Sequence, residues 1–212
     1  MTDTDGPPTG KDWRSMISRI LYCREWNQNS TKDNRFSGYI ASLRMAVTPA
    51  TEVNAYAYTE AYLGSLSSES QRVGARRAAG ICAATPRVAA AQGSTDGEPD
   101  SHAPRLGASL RQLYRHETDQ WPATFESDGT PRQNALLNQV NSLPLLNVEQ
   151  AAALLFALIK RCEDANVRVD FHDLARTLIY WGNGMSESSR QQRQRILRDF
   201  YYIPVTAAQP TK

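Results

Sequence analysis

The chain has 212 residues, of which 41% are hydrophobic, and a formal net charge of +2. It has no apolar run near the roughly 20 residues that cross a bilayer, and its acidic amino-terminal segment lacks the apolar core of a secretory signal. We therefore expect a cytoplasmic protein with no membrane partner. Three widely spaced cysteines, Cys23, Cys82 and Cys162, argue against a disulfide framework or a zinc site.

Apolar residues at helical spacing predict helices along the first half of the chain. Asp12 is positioned to cap a first helix that begins at Trp13. Three more helices are predicted over residues 37–47, 51–66 and 69–84, and prolines at positions 49 and 86 follow the first and last of these.

The second half shows the same helical pattern with clearer capping residues. Short helices are predicted over residues 106–117 and 133–141. Asn147 and Gln150 form a capping box before the apolar segment AAALLFALIKRC, and Asp170 caps FHDLARTLIYW. Ser186, Ser188 or Ser189 opens a final basic helix in which Ile196, Leu197 and Phe200 face inward.

These elements predict an all-α protein of two small helical bundles joined by a loop, with about seven to nine helices. The segment QGSTDGEPDSHAP is rich in Gly, Ser, Pro and acidic residues, which is typical of a linker or mobile loop. The expected units are therefore residues 11–91 and 106–204, with a linker at 92–105.

Basic charge is concentrated at the two ends of the chain. Residues 11–50 hold seven basic and three acidic side chains, and residues 151–212 hold nine and six, whereas residues 51–130 hold seven and ten. If the fold brings the two ends together, they form one positive face.

The sequence contains no pattern that indicates catalysis, a metal or a cofactor. It lacks HExxH, GxSxG and a glycine-rich phosphate loop. His172 lies beside Asp170 and Asp173, but helix-capping acids explain that arrangement better than a charge relay. We therefore expect a protein that is not an enzyme and has no cofactor.

Arginine is the basic residue that this chain favours, since Lys11, Lys32, Lys160 and Lys212 are its only lysines. Arginine suits bidentate phosphate contact better than lysine does, although a GC-rich genome gives the same bias. Helical spacing places Arg72, Arg76 and Arg77 on one side of their helix. On the last helix, Arg190 and Arg193 share one edge, and Arg195 and Arg198 share another. Such edges can follow a phosphate backbone, although they also suit a simple solvated face.

Several segments resemble the CasB family, the small subunit of the type I-E CRISPR Cascade complex. The resemblance is clearest in VDFHDLARTLIYWG and in RQQRQRILRDFYY, a basic helix that ends in an aromatic pair. Similar segments precede them in the family's order: RFSGYIASLRMA, LGASLRQLY, ALLNQVNSL and AAALLFALIKRC. One departure is that Met45 follows Arg44, where the family usually has a second arginine.

The resemblance implies a non-enzymatic architectural subunit that stabilises the R-loop in antiviral defence. The implied partners are the displaced single-stranded DNA, the crRNA–target duplex, the backbone and large subunits of Cascade, and a second copy of the chain. Together with the charge pattern, the resemblance favours a set of backbone contacts: Lys32, Arg35, Arg44, Lys160, Arg161 and Arg176, with Arg190 and Arg193 as further candidates.

Two other interpretations fit the sequence. The chain could be a helical adaptor that binds only protein, with its arginines on solvated or docking surfaces. It could also be a helix-turn-helix regulator, although the last helix lacks an obvious set of base-reading side chains.

Overall fold

The computed structural model describes residues 10–29, 35–90, 104–127, 129 and 132–202. The all-α prediction is confirmed, since these residues contain nine α-helices and no strand. Ala90 and Val169 form an isolated bridge. The helices are α1 (Trp13–Asn29), α2 (Ser37–Arg44), α3 (Tyr56–Thr59), α4 (Glu69–Ala84), α5 (Leu106–Thr118), α6 (Ala135–Ser142), α7 (Val148–Asp164), α8 (Phe171–Ile179) and α9 (Glu187–Tyr201).

The predicted helix caps are present. Asp12 Oδ1 accepts a hydrogen bond from the Ser15 amide at 2.8 Å, and Asn147 forms the expected capping box with Gln150. Asp170 accepts from two amides at the start of α8, and Ser186 caps α9. These side chains satisfy amide groups that a helix leaves unpaired in its first turn.

The single helix predicted over residues 51–66 is wrong. The chain instead forms three short pieces: the 3₁₀ turn Glu52–Ala55, helix α3 and the 3₁₀ turn Glu60–Tyr62. Glu52 and Glu60 both pair with Arg76 of α4, at 3.2 and 2.9 Å. These tertiary ion pairs hold the segment against α4, and such contacts can override local helix propensity.

Helix α4 lies at the centre of the molecule and packs against α1, α2, α7 and α8. Two glycines let the neighbouring backbones approach it closely. A Cβ atom added to Gly74 would lie 2.3 Å from the carbonyl oxygen of Leu178, and one added to Gly80 would lie 2.6 Å from the amide of Val47. Side chains at these positions would push α8 or the 3₁₀ turn Met45–Val47 away from α4.

Elements from both predicted units share one buried apolar cluster, so the core is continuous. It includes Ile17 and Ile81 from the first unit and Leu155 and Leu178 from the second.

The boundaries at 11–91 and 106–204 stay a prediction, and most of the expected linker lies outside the described residues. None of the helices in the described ranges has the length and hydropathy of a membrane span.

The ring of His172 joins α8 to α1 through a 3.0 Å hydrogen bond between its Nε2 atom and Ser18 Oγ. Burial lowers the pKa of His172 below its ordinary value, although the Asp170 charge opposes this shift. At this position the unfolded chain therefore binds a proton more readily than the folded one, so the contribution of His172 to folding stability is fully present above about pH 6.5. We expect the free energy of unfolding to fall as the pH decreases from that value toward the folded pKa.

Urea unfolding of the full chain at pH 7.5 and 5.5 measures this dependence. The variant His172→Gln should show a weaker loss of stability at low pH than the wild-type chain does. His116 is exposed, so His116→Gln is the matched control and should leave the wild-type pH dependence intact. An unchanged pH dependence in His172→Gln would contradict the assignment.

Candidate nucleic-acid interface

A groove of about 1150 Å³ lies where the first turns of α1 and α4 meet α8 and α9. Four arginines line it: Arg14, Arg176, Arg195 and Arg198. Most of its other lining residues are hydroxyl or amide side chains: Ser68, Ser70, Gln71, Asn183, Ser186, Ser188, Ser189, Gln191 and Gln192. No carboxylate from the described ranges lines the groove, so its walls are cationic and rich in hydrogen-bonding groups.

Three of the four groove arginines have no carboxylate partner among the residues described. Arg14, Arg176 and Arg198 are exposed, and the guanidinium of Arg14 lies 4.7 Å from the centre of the Trp13 ring. Arg195 differs because it pairs with Asp173 and also donates to Thr177 Oγ1 at 3.2 Å. Asp12 and Asp199 lie near enough to feel the charges of Arg14 and Arg198, but neither forms an ion pair with them. The groove therefore offers three guanidinium groups that are free of direct carboxylate contacts to an anionic ligand.

The arginines reach this groove because helices from both ends of the chain pack together. The hydrogen bond between Ser18 and His172 holds the start of α1 beside α8. The backbone of Leu178 lies against Gly74, which brings α8 close to α4. Arg14 from the amino-terminal helix and Arg176 from the carboxy-terminal third of the chain thus line the same groove.

A second group of cations lies near the carboxyl end of α4, and we call it the Arg44 cluster. Arg44 Nε donates to the carbonyl oxygen of Ala83 at 3.0 Å, and its side chain is exposed. Lys160 and Arg87 lie on either side of the Glu163 carboxylate, at 3.2 and 3.6 Å. Burial alone would raise the pKa of Glu163, but hydrogen bonds from the Arg87 amide and Lys160 lower it overall.

Arg44 and Arg176 therefore belong to two separate basic surfaces. Arg44 contacts the carboxyl end of α4, whereas Arg176 lines the groove together with Ser68 and Gln71 at the amino end. A helix of 16 residues is about 24 Å long. The expected single positive face is thus divided between the groove and the Arg44 cluster.

The remaining predicted contacts have other neighbours. Arg35 is exposed and lies 4.2 Å from the centre of the Trp26 ring. Arg161 forms a bidentate pair with Glu117, and Arg190 pairs with Glu187 one turn away. Lys32 lies outside the described residues. These ion pairs reduce the positive charge that Arg161 and Arg190 offer to a polyanion.

The structure does not place Arg193 at the candidate interface, because its side chain is buried. Its guanidinium donates to four carbonyl oxygens at 2.7–3.0 Å: those of Trp181, Gly182, Pro144 and Leu146. The interpretation of Arg76 and Arg77 as a phosphate-binding edge is also wrong. Both are buried, and they pair with carboxylates of Glu52, Glu60, Glu69 and Glu149.

Sequence reasoning missed most of the groove lining, including Arg14 and Tyr180. Each is exposed and belongs to the groove lining. Helical periodicity places Arg14 on the polar side of α1, but only the packing of α1 against α8 brings it near Arg176. Tyr180 gives no signal in the sequence, because tyrosine is intermediate between the residue types that are usually buried and those that are usually exposed.

The described residues contain no cluster of three or more His, Cys, Asp or Glu side chains that could hold a metal ion. The ring of His172 is occupied by Ser18 within the packed interface between α1 and α8. Cys162 is buried, and burial raises the pKa of its thiol to about 12, which suppresses the reactive thiolate. Neither group is presented to the groove.

Comparison with known proteins identifies the family of the chain. Residues 39–201 match the family model described as CRISPR-associated protein Cse2. The crystal structure of TTHB189, a CRISPR-associated Cse2-family protein from Thermus thermophilus, is similar with a TM-score of 0.55 and 16% identity. That similarity covers 87% of this chain and 97% of TTHB189. No curated protein sequence gave a significant match. The chain belongs to the Cse2 family of CRISPR-associated proteins.

Proposed function

We propose that this protein is the non-enzymatic small subunit of a crRNA-guided Cascade complex and holds nucleic-acid backbone without reading its sequence. In such complexes base pairing with the guide RNA supplies sequence recognition, so an accessory subunit needs only charge and shape. The observation that carries the proposal is the groove, in which Arg14, Arg176 and Arg198 lack carboxylate partners among the described residues.

The side chains around these arginines fit phosphate contacts. Serine hydroxyls and the amides of Gln and Asn donate hydrogen bonds to phosphate oxygens, and such contacts position a strand without specifying bases. The groove lining includes Ser186 and Ser188 at the start of α9. The first turns of α4 and α9 also carry Glu69 and Glu187, but these carboxylates pair with Arg76 and Arg190.

The proposed ligand is the displaced DNA strand of the R-loop, and the Arg44 cluster supplies a second point of contact. The guanidinium of Arg44 has no carboxylate partner in the part of the chain that the structure describes, and Arg87 and Lys160 share a single carboxylate. The cluster and the groove lie at opposite ends of the buried helix α4, so a strand bound at both would cross at least about 24 Å of the surface.

The double substitution Arg44→Glu with Arg176→Glu tests this proposal in the assembled complex. We expect weaker binding of target DNA and a smaller salt dependence, by about 1.4 log units per tenfold change in salt if both residues contact a single strand. Circular dichroism should show unchanged helicity, because both side chains are exposed.

The matched control is Arg105→Glu with Arg115→Glu, which makes the same charge change at exposed positions of the α5 region. It should leave the affinity and the salt dependence near those of the wild-type complex. Equal binding by the two double variants would contradict the proposed interface.

A protein-only adaptor is the second candidate, and the exposed apolar side chains favour docking on other subunits. Val53, Leu145 and Met185 are 67%, 83% and 82% exposed. We propose that backbone and large subunits, or a second copy of the chain, contact such positions. An adaptor without nucleic-acid contact would show no salt-sensitive retention of single-stranded DNA, whether alone or in the complex.

A further inference from the structure

The side chain of Tyr180 lies in the groove with its ring open to solvent. Tyr180 follows the last residue of α8, and its amide donates to the carbonyl oxygen of Arg176 at 3.1 Å. The residue is 46% exposed and lines the groove beside Arg176. An aromatic ring in this position presents a large apolar surface to whatever the groove holds.

The ring of Tyr180 differs from the other exposed tyrosines of the described chain because it has no aromatic or guanidinium neighbour there. Tyr58 packs edge-on against Tyr39, with ring centres 5.5 Å apart. The rings of Tyr56 and Tyr202 lie 4.7 and 5.9 Å from the guanidinium groups of Arg76 and Arg111. Tyr180 therefore has a ring face that is not already used within the fold.

Arg176 and Tyr180 are four positions apart, so they lie on the same side of α8, about 6 Å apart along its axis. A guanidinium that binds phosphate and a ring that stacks on a base are the two elements that single-strand binding proteins combine. The described residues that line the groove include no carboxylate. Glu69 and Glu187, which lie in the first turns of α4 and α9, pair with Arg76 and Arg190.

We propose that Tyr180 stacks against an unpaired base and makes the groove prefer single-stranded over double-stranded nucleic acid. This inference rests on the proposed function, because it requires that the groove hold a nucleic-acid strand. A duplex keeps its base faces stacked on one another, so its phosphates can contact the arginines but its bases cannot contact the ring. Tyr180 thus determines the preference for single-stranded nucleic acid, while the arginines supply the positive charge that binds the phosphates.

The test measures binding of the purified full chain to a fluorescent 20-nucleotide single strand and to the duplex of the same length. Tyr180→Ala should weaken single-strand binding by about 5-fold or more, since a stacked base contributes roughly a factor of 5 to 150. Duplex binding and the salt dependence should stay unchanged, because no phosphate contact is lost. Tyr180→Phe should retain the wild-type preference, since a phenyl ring also stacks.

Tyr202→Ala is the matched control, because Tyr202 is 58% exposed and is not among the groove residues. It should leave both affinities unchanged. Equal losses for single strand and duplex in Tyr180→Ala, or no loss for either, would overturn the stacking role and leave the proposed function standing. Absence of binding by the wild-type chain, alone and in the assembled complex, would instead overturn the proposed function and the stacking role with it.

Discussion

Replacement of Arg193 by alanine is expected to lower the free energy of unfolding by about 3–5 kcal/mol. The guanidinium of Arg193 is buried and joins three parts of the chain: the turn after α8, the 3₁₀ turn Leu143–Leu145 and helix α9. Its removal takes one donor from each of four carbonyl oxygens, although Trp181 O still accepts from Ser189 Oγ and Leu146 O from Trp181 Nε1. It also opens a cavity beside Trp181, whose ring centre lies 5.2 Å from the guanidinium. Urea unfolding followed by circular dichroism measures the loss.

Arg190→Ala is the matched control for this prediction. Arg190 lies one turn earlier on α9, is 58% exposed at its side chain and pairs only with Glu187. Surface pairs of this kind contribute about 0.3–0.5 kcal/mol, so the control should unfold almost as the wild-type chain does. Similar stabilities for Arg193→Ala and Arg190→Ala would show that Arg193 is not the structural clamp that its contacts indicate.

Replacement of Arg77 by methionine is expected to have an effect of similar size, about 3–5 kcal/mol, because it leaves a buried carboxylate without one of its partners. Arg77 is 1% exposed at its side chain, pairs with Glu52, and makes two hydrogen bonds to Glu149 of 2.7 and 2.9 Å. It also donates to the carbonyl oxygen of Ala46 at 2.7 Å. The substitution therefore loosens the segment before α4 and the start of α7 together.

The Arg77 prediction has an internal check. Glu52→Gln introduced into the Arg77→Met chain should cost less stability than Glu52→Gln in the wild-type chain, because the Arg77 pair is already lost. Arg72→Met on the same helix is the control, since Arg72 has no ion pair with any residue described. In the Arg72→Met chain, Glu52→Gln should cost as much stability as it does in the wild-type chain. Additive effects of the Arg77 and Glu52 substitutions would contradict a direct interaction between them.

Local features of the fold could be predicted because they depend on neighbouring residues. The caps at Asp12, Asn147 and Asp170 need only a side chain and an amide two or three positions away, and all are present. The buried stripe that begins with Trp13, Met16 and Ile17 follows in the same way from helical periodicity. Cse2 and CasB are two names for one family, so the match to the Cse2 family model confirms the resemblance that these helices carry.

Tertiary contacts of the arginines could not be predicted, because an arginine on a polar helix face gives the same sequence pattern whether it meets solvent or a carbonyl group. Arg24 shows this clearly: it is buried and donates to the carbonyl oxygens of Pro86 and Val88. Arg193 does the same at the end of α8. A long side chain with five donors can bind carbonyl groups at helix ends from another element, so counting arginines overstates the charge available to a ligand.

The candidate site was therefore only partly foreseen. The sequence predicts both Arg176 and Arg193 as contacts, but only Arg176 lines the groove, because Arg193 is buried. Arg14 depends on the packing of α1 against α8, which no local pattern encodes. The groove is a property of tertiary structure, and its charge depends on which arginines remain without carboxylates after folding.

The salt dependence of binding to a single-stranded oligonucleotide tests the role of the groove most directly. The full chain and the triple variant Arg14→Gln, Arg176→Gln and Arg198→Gln would be compared by fluorescence anisotropy between 50 and 300 mM salt. If the three guanidinium groups bind phosphates, the slope of log affinity against log salt should decrease in magnitude by about 2, since each single-strand contact contributes about 0.7. An unchanged affinity with an unchanged slope would show that the strand does not bind in this groove.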